Sequence, residues 1–265
     1  LNTNNAGANS LRTAINNANA AVGTDTIVFN IAGAGVKTIN LASSLPTITG
    51  NVLIDGWSQP GFAGTPLIRI NDAGAFNGPG LSFSNTSDGS TVRGLMITGF
   101  SGAHGSAAEG DGILIQAGAD NITVRGNWIG TTGTGSVGVG NADDGIDIRG
   151  SGAIIGGTGV NDRNVITNSG DEGINIQGAG VTGHLIQGNY IGVDPDGSTG
   201  GGNTDVGIAI ISGTGNTIGG TTAAARNVIS MNFEGIEINT SNNVVQGNYI
   251  GTDATGTLNR GQRSS

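Results

Sequence analysis

A pentapeptide of the form Gly-Asn-aromatic-Ile-Gly occurs three times, as GNWIG from Gly126 and as GNYIG from Gly188 and Gly247, at spacings of 62 and 59 residues. Between these marks a second signature, Gly-Ile-x-Ile, recurs from Gly112, Gly145, Gly173, Gly207 and Gly235, at intervals of 33, 28, 34 and 28. The larger unit is therefore a pair of alternating shorter turns. Such a period marks a solenoid, because a single turn cannot bury its own apolar side and must stack on the next.

Each turn divides into three short strands separated by Gly/Asn corners. From Gly145 the strands are GIDI, AIIGG and NVIT; from Gly173 they are GINI, HLIQG and NYIGV. Strand side chains alternate with period 2, so both Ile of Gly-Ile-x-Ile point the same way, toward the interior. The expected inward column is Ile113/Ile115, Ile146/Ile148, Ile174/Ile176, Ile208/Ile210 and Ile236/Ile238. A second column is Asn127, Asn164, Asn189, Asn227 and Asn248, one before each third strand. Asn tolerates left-handed backbone and bonds to nearby main chain, which predicts an asparagine ladder inside the bend. Long loops alternate between two edges: GTTGTGSVGVGNADD and GVDPDGSTGGGNTD follow the third strand, whereas GGTGVNDR and GGTTAAAR precede it.

The expected organisation is one domain over 1–265: an N-terminal cap (1–25), less regular coils (26–110) and regular alternating repeats (111–265) that would continue beyond the visible chain, about seven coils in all. In the cap, SLRTAINNANAA places Leu11, Ala14, Ile15 and Ala18 at helical spacing behind a Ser10 N-cap, predicting a short helix over the open edge of the first coil. TIVFNI, KTINL, NVLIDG, LIRI, LSF and TVRGLMITGF read as the earlier strands. At the other end the last turn is expected to stay open, a template for further strands from another domain or a second copy.

Composition narrows the partners. Ten Lys plus Arg stand against 19 Asp plus Glu, and Lys37 is the sole lysine, so the chain lacks the basic footprint of a nucleic-acid binder. No apolar run approaches the roughly 18 residues of a spanning helix, and no basic amphipathic helix is present, so membrane insertion is not expected. The chain begins with Leu rather than Met, which suggests a mature or trimmed segment. The absence of cysteine excludes disulfides and thiolate metal sites.

SLRTAINNAN, GTDTIVFNI, IDGWSQPGFAGTP, NTIGGTTAAARNVIS and GNYIGTDATGT together resemble the bacterial right-handed parallel β-helix repeat proteins with a SLR-type N-terminal segment, over essentially the whole chain. The resemblance implies an all-β, right-handed parallel β-helix, export to the bacterial surface or medium, and attachment to a larger polypeptide. The wider β-helix class also holds polysaccharide lyases, hydrolases and epimerases, and fold does not choose among them.

In such enzymes the groove usually lies on the outward face of the first strand, and here that face is acidic. Asp111, Asp144, Glu172 and Glu234 precede the Gly of their turns, Val206 holds that position in the fourth, and Asp147 and Glu237 occupy outward positions within strands, with Arg149 and Asn175 beside them. Carboxylates stacked at one strand spacing repel, so they must bind a cation, pair with Arg149 or take raised pKa values. Oxygen donors suit Ca2+. The enzyme reading has Asp144, Asp147 and Glu172 hold calcium against an acidic sugar while Arg149 acts as base or charge stabiliser; other readings are calcium or carbohydrate binding without turnover. The favoured reading needs no cofactor and no catalysis: the carboxylates solubilise a solvent-facing wall, and the chain is a rigid spacer or adhesive module.

The remaining candidates read as structure. Trp128, Tyr190 and Tyr249 fill one repeated slot, as scaffold residues would. His104 and His184 share no metal spacing, and His184 occupies a position held by Ile122 and Asn243 in other turns. Asp194-Pro195-Asp196-Gly197 resembles part of a calcium loop, but its Asp residues do not recur in TTGTGS or TDATGT.

Overall fold

The computed structural model describes residues 1–72, 74–106, 109–136 and 138–263. The chain is an all-β parallel solenoid of about seven turns with one short helix near its N-terminus. Its wall is made of three parallel sheets. Sheet 1 contains the six strands from Leu81–Phe83 to Glu234–Ile238, sheet 2 the eight from Asp25–Val28 to Val244–Gln246, and sheet 3 the eight from Lys37–Leu41 to Tyr249–Ile250. Within a repeat the chain passes through sheets 1, 2 and 3 in that order. The irregularity before residue 111 has a simple origin: sheet 1 begins two strands late, and Ile48 meets Phe83 only as an isolated bridge.

Register is set by the Ile column. Ile146 pairs with Ile113 on one side and Ile174 on the other, and Ile174 pairs with Ile208. Every member from Ile113 to Ile210 is fully buried. At roughly 1.5–3 kcal/mol per buried aliphatic side chain this column is a main source of cohesion, set against the entropy of ordering the chain. A one-residue slip would turn each Ile outward, so the alternation fixes the pairing. The last turn is less covered: Ile238, Val244, Val245 and Ile250 are 40–47% exposed.

The helix spans Leu11–Ala20, with Ser10 Oγ accepting from the Thr13 N–H at 3.2 Å. Leu11, Ile15 and Ala18 are buried, and Ala14 is partly buried against the same core. Arg12 donates to the carbonyls of Ser43 and Ser44, and Asn19 exchanges hydrogen bonds with Thr47 and Thr49. The helix thus covers the end of the first turn, as the Ser-capped apolar spacing predicts. TVRGLMITGF, read as one strand, is two: Thr91–Arg93 belongs to sheet 2 and Leu95–Thr98 to sheet 3. Gly94, at φ +70°, turns the corner between them.

The asparagine ladder forms as expected. Asn127, Asn164, Asn189 and Asn227 are fully buried. Asn164 Oδ1 accepts from Asn127 N–H at 2.9 Å, and Asn164 Nδ2 donates to Asn189 Oδ1 at 3.0 Å and to the Val124 carbonyl at 2.8 Å. Two further ladders occupy the other corners. Before sheet 1, Ser169 N–H donates to Asn203 Oδ1, and Asn203 N–H and Nδ2 donate to Asn232 Oδ1. Before sheet 2, Ala153 N–H donates to His184 Nδ1, His184 N–H to Asn216 Oδ1, and Asn216 to Asn243 Oδ1. Main-chain groups that leave the strand ladders at a corner are thereby satisfied out of reach of water.

His184 is consequently neutral. Burial pushes its pKa down to about 4, with Asp120 opposing weakly. Between the ordinary value of 6.5 and about 4 the unfolded chain takes up a proton that the folded chain refuses, so this group's contribution falls as pH drops through that window and is unaffected above it. The total is on the order of 3 kcal/mol. His184→Asn, which places in the slot the residue found at Asn216 and Asn243, is expected to match the wild type at pH 8 and to exceed its denaturant midpoint at pH 4.5. Equal midpoints at both pH values would mean that His184 is not held neutral.

Candidate functional site

The outer face of sheet 1 gathers the acidic residues. Main-chain bonds from Gly80 to Asp111, from Gly112 to Asp144 and from Gly145 to Glu172 carry the strand starts upward in register, so these three carboxyls stack along the axis. Gly recurs after each of them because a Cβ at Gly145 would lie 2.5 Å from the Gly173 carbonyl oxygen. Asp147 and Asn175 follow at directly paired positions of adjacent strands.

Four of the expected acids do not stand in solvent, which corrects the reading of a solubilised wall for Asp111, Asp144, Asp147 and Glu172, whereas Glu234 is exposed as that reading expects. Asp111 is 0% exposed, Asp144 and Asp147 are 1%, and Glu172 is 8%. The cover comes from outside the repeat. His104 Nδ1 lies 3.1 Å from both Asp143 Oδ1 and Asp171 Oδ2, Glu109 pairs with Arg149, and the Gly110 carbonyl accepts from Asp143 N–H at 3.3 Å. Arg149 also pairs with Asp147, its Nε donating at 2.6 Å, and Gln177 Nε2 donates to both Asp147 oxygens at 3.2 Å.

Burial beside like charges raises the acids together. Asp111 is pushed up to about 8 by burial and then by the charges of Asp147, Asp143 and Glu109. Asp143 reaches about 6 through burial, which the contact with His104 only partly offsets. Burial also raises Asp147 although Arg149 pulls it down. Asp144 Oδ1 accepts from the Glu172 N–H at 3.0 Å, and its Oδ2 accepts from Asn175 Nδ2 at 3.0 Å. Asp144 and Glu172 are both raised, first by burial. His104 is raised despite its own partial burial, because Asp143 and Asp171 together outweigh it.

Asp144, Asp147 and Glu172 share one face but do not converge on one point. Among the described residues the close groupings of potential ligand atoms, each within 4.8 Å, are His104/Glu109/Asp143, Glu109/Asp111/Asp147, Asp143/Asp144/Asp171 and Asp171/Glu172/Asp205. The structure therefore divides the expected trio among neighbours and adds Glu109, Asp143, Asp171, Asp205 and His104. The doublets Asp143-Asp144 and Asp171-Glu172, each just before a repeat Gly, are the sequence signal for part of this. Nothing in the repeat pointed to Glu109 or His104, which lie in a segment without a counterpart in other turns. Arg149 sits between two carboxylates that already neutralise it. The chemistry available to this face is the storage of protons or cations within the wall.

The other candidates are structural. Tyr190 is 8% exposed with the Arg163 guanidinium 4.0 Å above its ring, and Arg226 lies 3.9 Å above Tyr249, so these rings are covered rather than open to a sugar. Lys37 is 8% exposed and donates to the Ala34 carbonyl. In the Asp-Pro-Asp-Gly loop, Asp196 accepts from the Ser198 and Thr199 N–H groups, and Asp194 Oδ2 accepts from Gly135 N–H at 2.8 Å, tying two long loops together. The chain matches no protein-family model, and no curated protein matches it in sequence.

Proposed function

We propose that the chain is a structural or adhesive module of a bacterial extracellular or surface protein, a rigid spacer that works without catalysis and joins other domains or copies of itself through its last turn. The observation that carries the reading is the continuity of the wall: three strand ladders and three corner ladders run along it in register. Shortening or bending such a rod requires breaking main-chain and side-chain hydrogen bonds at all three corners together. The resemblance of the N-terminal SLR segment and the repeats to bacterial β-helix proteins supports the surface location, and the burial of Asp111, Asp144, Asp147 and Glu172, with Arg149 held by Asp147 and Glu109, weighs against a polysaccharide groove there.

The joining surface is the last turn. Val245 pairs with Ile218 and Ile250 with Ile229, so both belong to inward columns, yet they are 40% and 47% exposed. Light scattering from micromolar to millimolar concentration is expected to show mass growing with concentration. The Val245→Lys/Ile250→Lys double variant is expected to remain monomeric with an unchanged helical and strand signal. A wild type that stays monomeric over the whole range would remove the self-joining element of this reading.

A further inference from the structure

One part of the acidic face contains a defect that the fold itself does not repair. Asp111 is 0% exposed, and neither of its carboxylate oxygens receives a hydrogen bond. A buried carboxylate ordinarily collects two or three donors, and leaving one without any costs several kcal/mol. The oxygens without donors on the neighbouring positions, Asp143 Oδ2, Glu172 Oε2 and Asn175 Oδ1, are acceptors too, so what this wall lacks is positive charge.

We propose that Glu109, Asp111 and Asp147 bind a divalent cation of the Ca2+ class, which fastens the segment carrying His104 and Glu109 onto sheet 1. One oxygen from each of the three lies within 4.8 Å of the others. Oxygens sharing a Ca2+ ion at 2.3–2.6 Å are separated by roughly 3–5 Å, so the grouping has the right span. The donors are all carboxylate oxygens, which selects a hard cation over zinc or copper. Charge agrees: with all three carboxyls ionised around the cation, they and the Arg149 guanidinium sum to two negative charges, the complement of a dication. Arg149 engages Glu109 Oε2 and Asp147 Oδ2. Glu109 Oε1 is left with the Gly105 N–H at 3.0 Å, Asp147 Oδ1 with Gln177 at 3.2 Å, and Asp111 with nothing. The site reaches beyond a spacer role, since it makes the covering segment responsive to the cation of the medium. It also differs from the Asp144/Glu172 pair, where both Asp144 oxygens receive a hydrogen bond, from the Glu172 N–H and from Asn175 Nδ2.

The test is calorimetric titration of the full chain, stripped with chelator, using CaCl2 and separately MgCl2, together with thermal melting in each. The wild type is expected to take up one Ca2+ per chain, to prefer Ca2+ to Mg2+ at least tenfold because a buried site cannot keep the waters Mg2+ retains, and to melt higher as calcium rises. Asp111→Asn and Glu109→Gln are each expected to weaken binding at least tenfold. Asp111→Asn should melt at or above the wild type in chelator, because it removes a buried carboxyl that has no hydrogen-bond partner. Asp205→Asn, at the far end of the face, is expected to bind as the wild type does. No saturable uptake by the wild type, tighter binding of Mg2+ than Ca2+, undiminished binding by Asp111→Asn, or loss of binding in Asp205→Asn would each overturn the proposal.

Discussion

Asn164→Ala is expected to destabilise the solenoid by about 4 kcal/mol and to lower the melting temperature by on the order of 10 °C. The substitution removes little apolar surface, but it deletes four side-chain hydrogen bonds inside the wall, leaving Asn127 Nδ2 with only the Val92 and Arg125 carbonyls and Asn189 Oδ1 with only the Asn164 N–H. Asn127 N–H and Nδ2 lose their shared acceptor, and Asn189 Oδ1 and the Val124 carbonyl lose a donor. Unsatisfied buried groups cost about 1–3 kcal/mol each before relaxation. The matched control is Asn243→Ala. Asn243 accepts from Asn216 in the same manner, but it is half-buried in the last turn, where water can replace it. Its expected cost is about 1 kcal/mol. Urea denaturation of the two variants gives the comparison, and equal losses would mean that the ladder does not hold the corner.

Gly130→Ala is expected to cost about 3–5 kcal/mol, against about 1 kcal/mol for Gly251→Ala, although both residues close the same pentapeptide. Both sit at φ +76°, so the intrinsic strain of a left-handed alanine is common to the two. The turn above makes the difference. A Cβ at Gly130 would fall 1.9 Å from the Thr167 carbonyl oxygen, whereas at Gly251 the nearest atom is Gly261 Cα at 3.8 Å. The pair of variants separates backbone strain from collision, and stability losses that agree within error would assign the recurrence of this Gly to conformation alone.

These two variants also explain why the fold could be read from residues. In Gly-Asn-aromatic-Ile-Gly the first Gly turns the corner at φ +64° in Gly126, Asn enters the ladder, Ile fills the core, and the last Gly admits the neighbouring backbone. Each position answers a local demand that recurs along the solenoid, every turn for the Asn and the Ile and every two turns for the whole pentapeptide, so the demand appears as a repeat. The other two ladders escaped notice because their members differ in type and spacing: Asn141 and Asn203 stand four residues before the repeat Gly, Asn232 stands three before it, and Ser169 and His184 share slots with asparagines. The acidic face was legible as a list of carboxylates but not as a buried cluster. Its burial depends on His104 and Glu109, and periodicity carries no information about a segment that occurs once.

The long loops have a consequence for how this chain can change in length. Asp194 reaches Gly135, and Ala254 N–H donates to the Gly197 carbonyl at 2.8 Å, so each long loop rests on the one two turns away and passes over the short turn between them. Removing residues 127–188 would join Gly126 to Asn189, regenerate GNYIG, and bring loops of the same class into contact again. Removing a single turn would instead bring a long loop against a short one and leave its partner unsupported. Gene duplication and loss can therefore lengthen or shorten the rod freely, but only in steps of two turns, and a population of related chains should differ in multiples of about 60 residues rather than of 30.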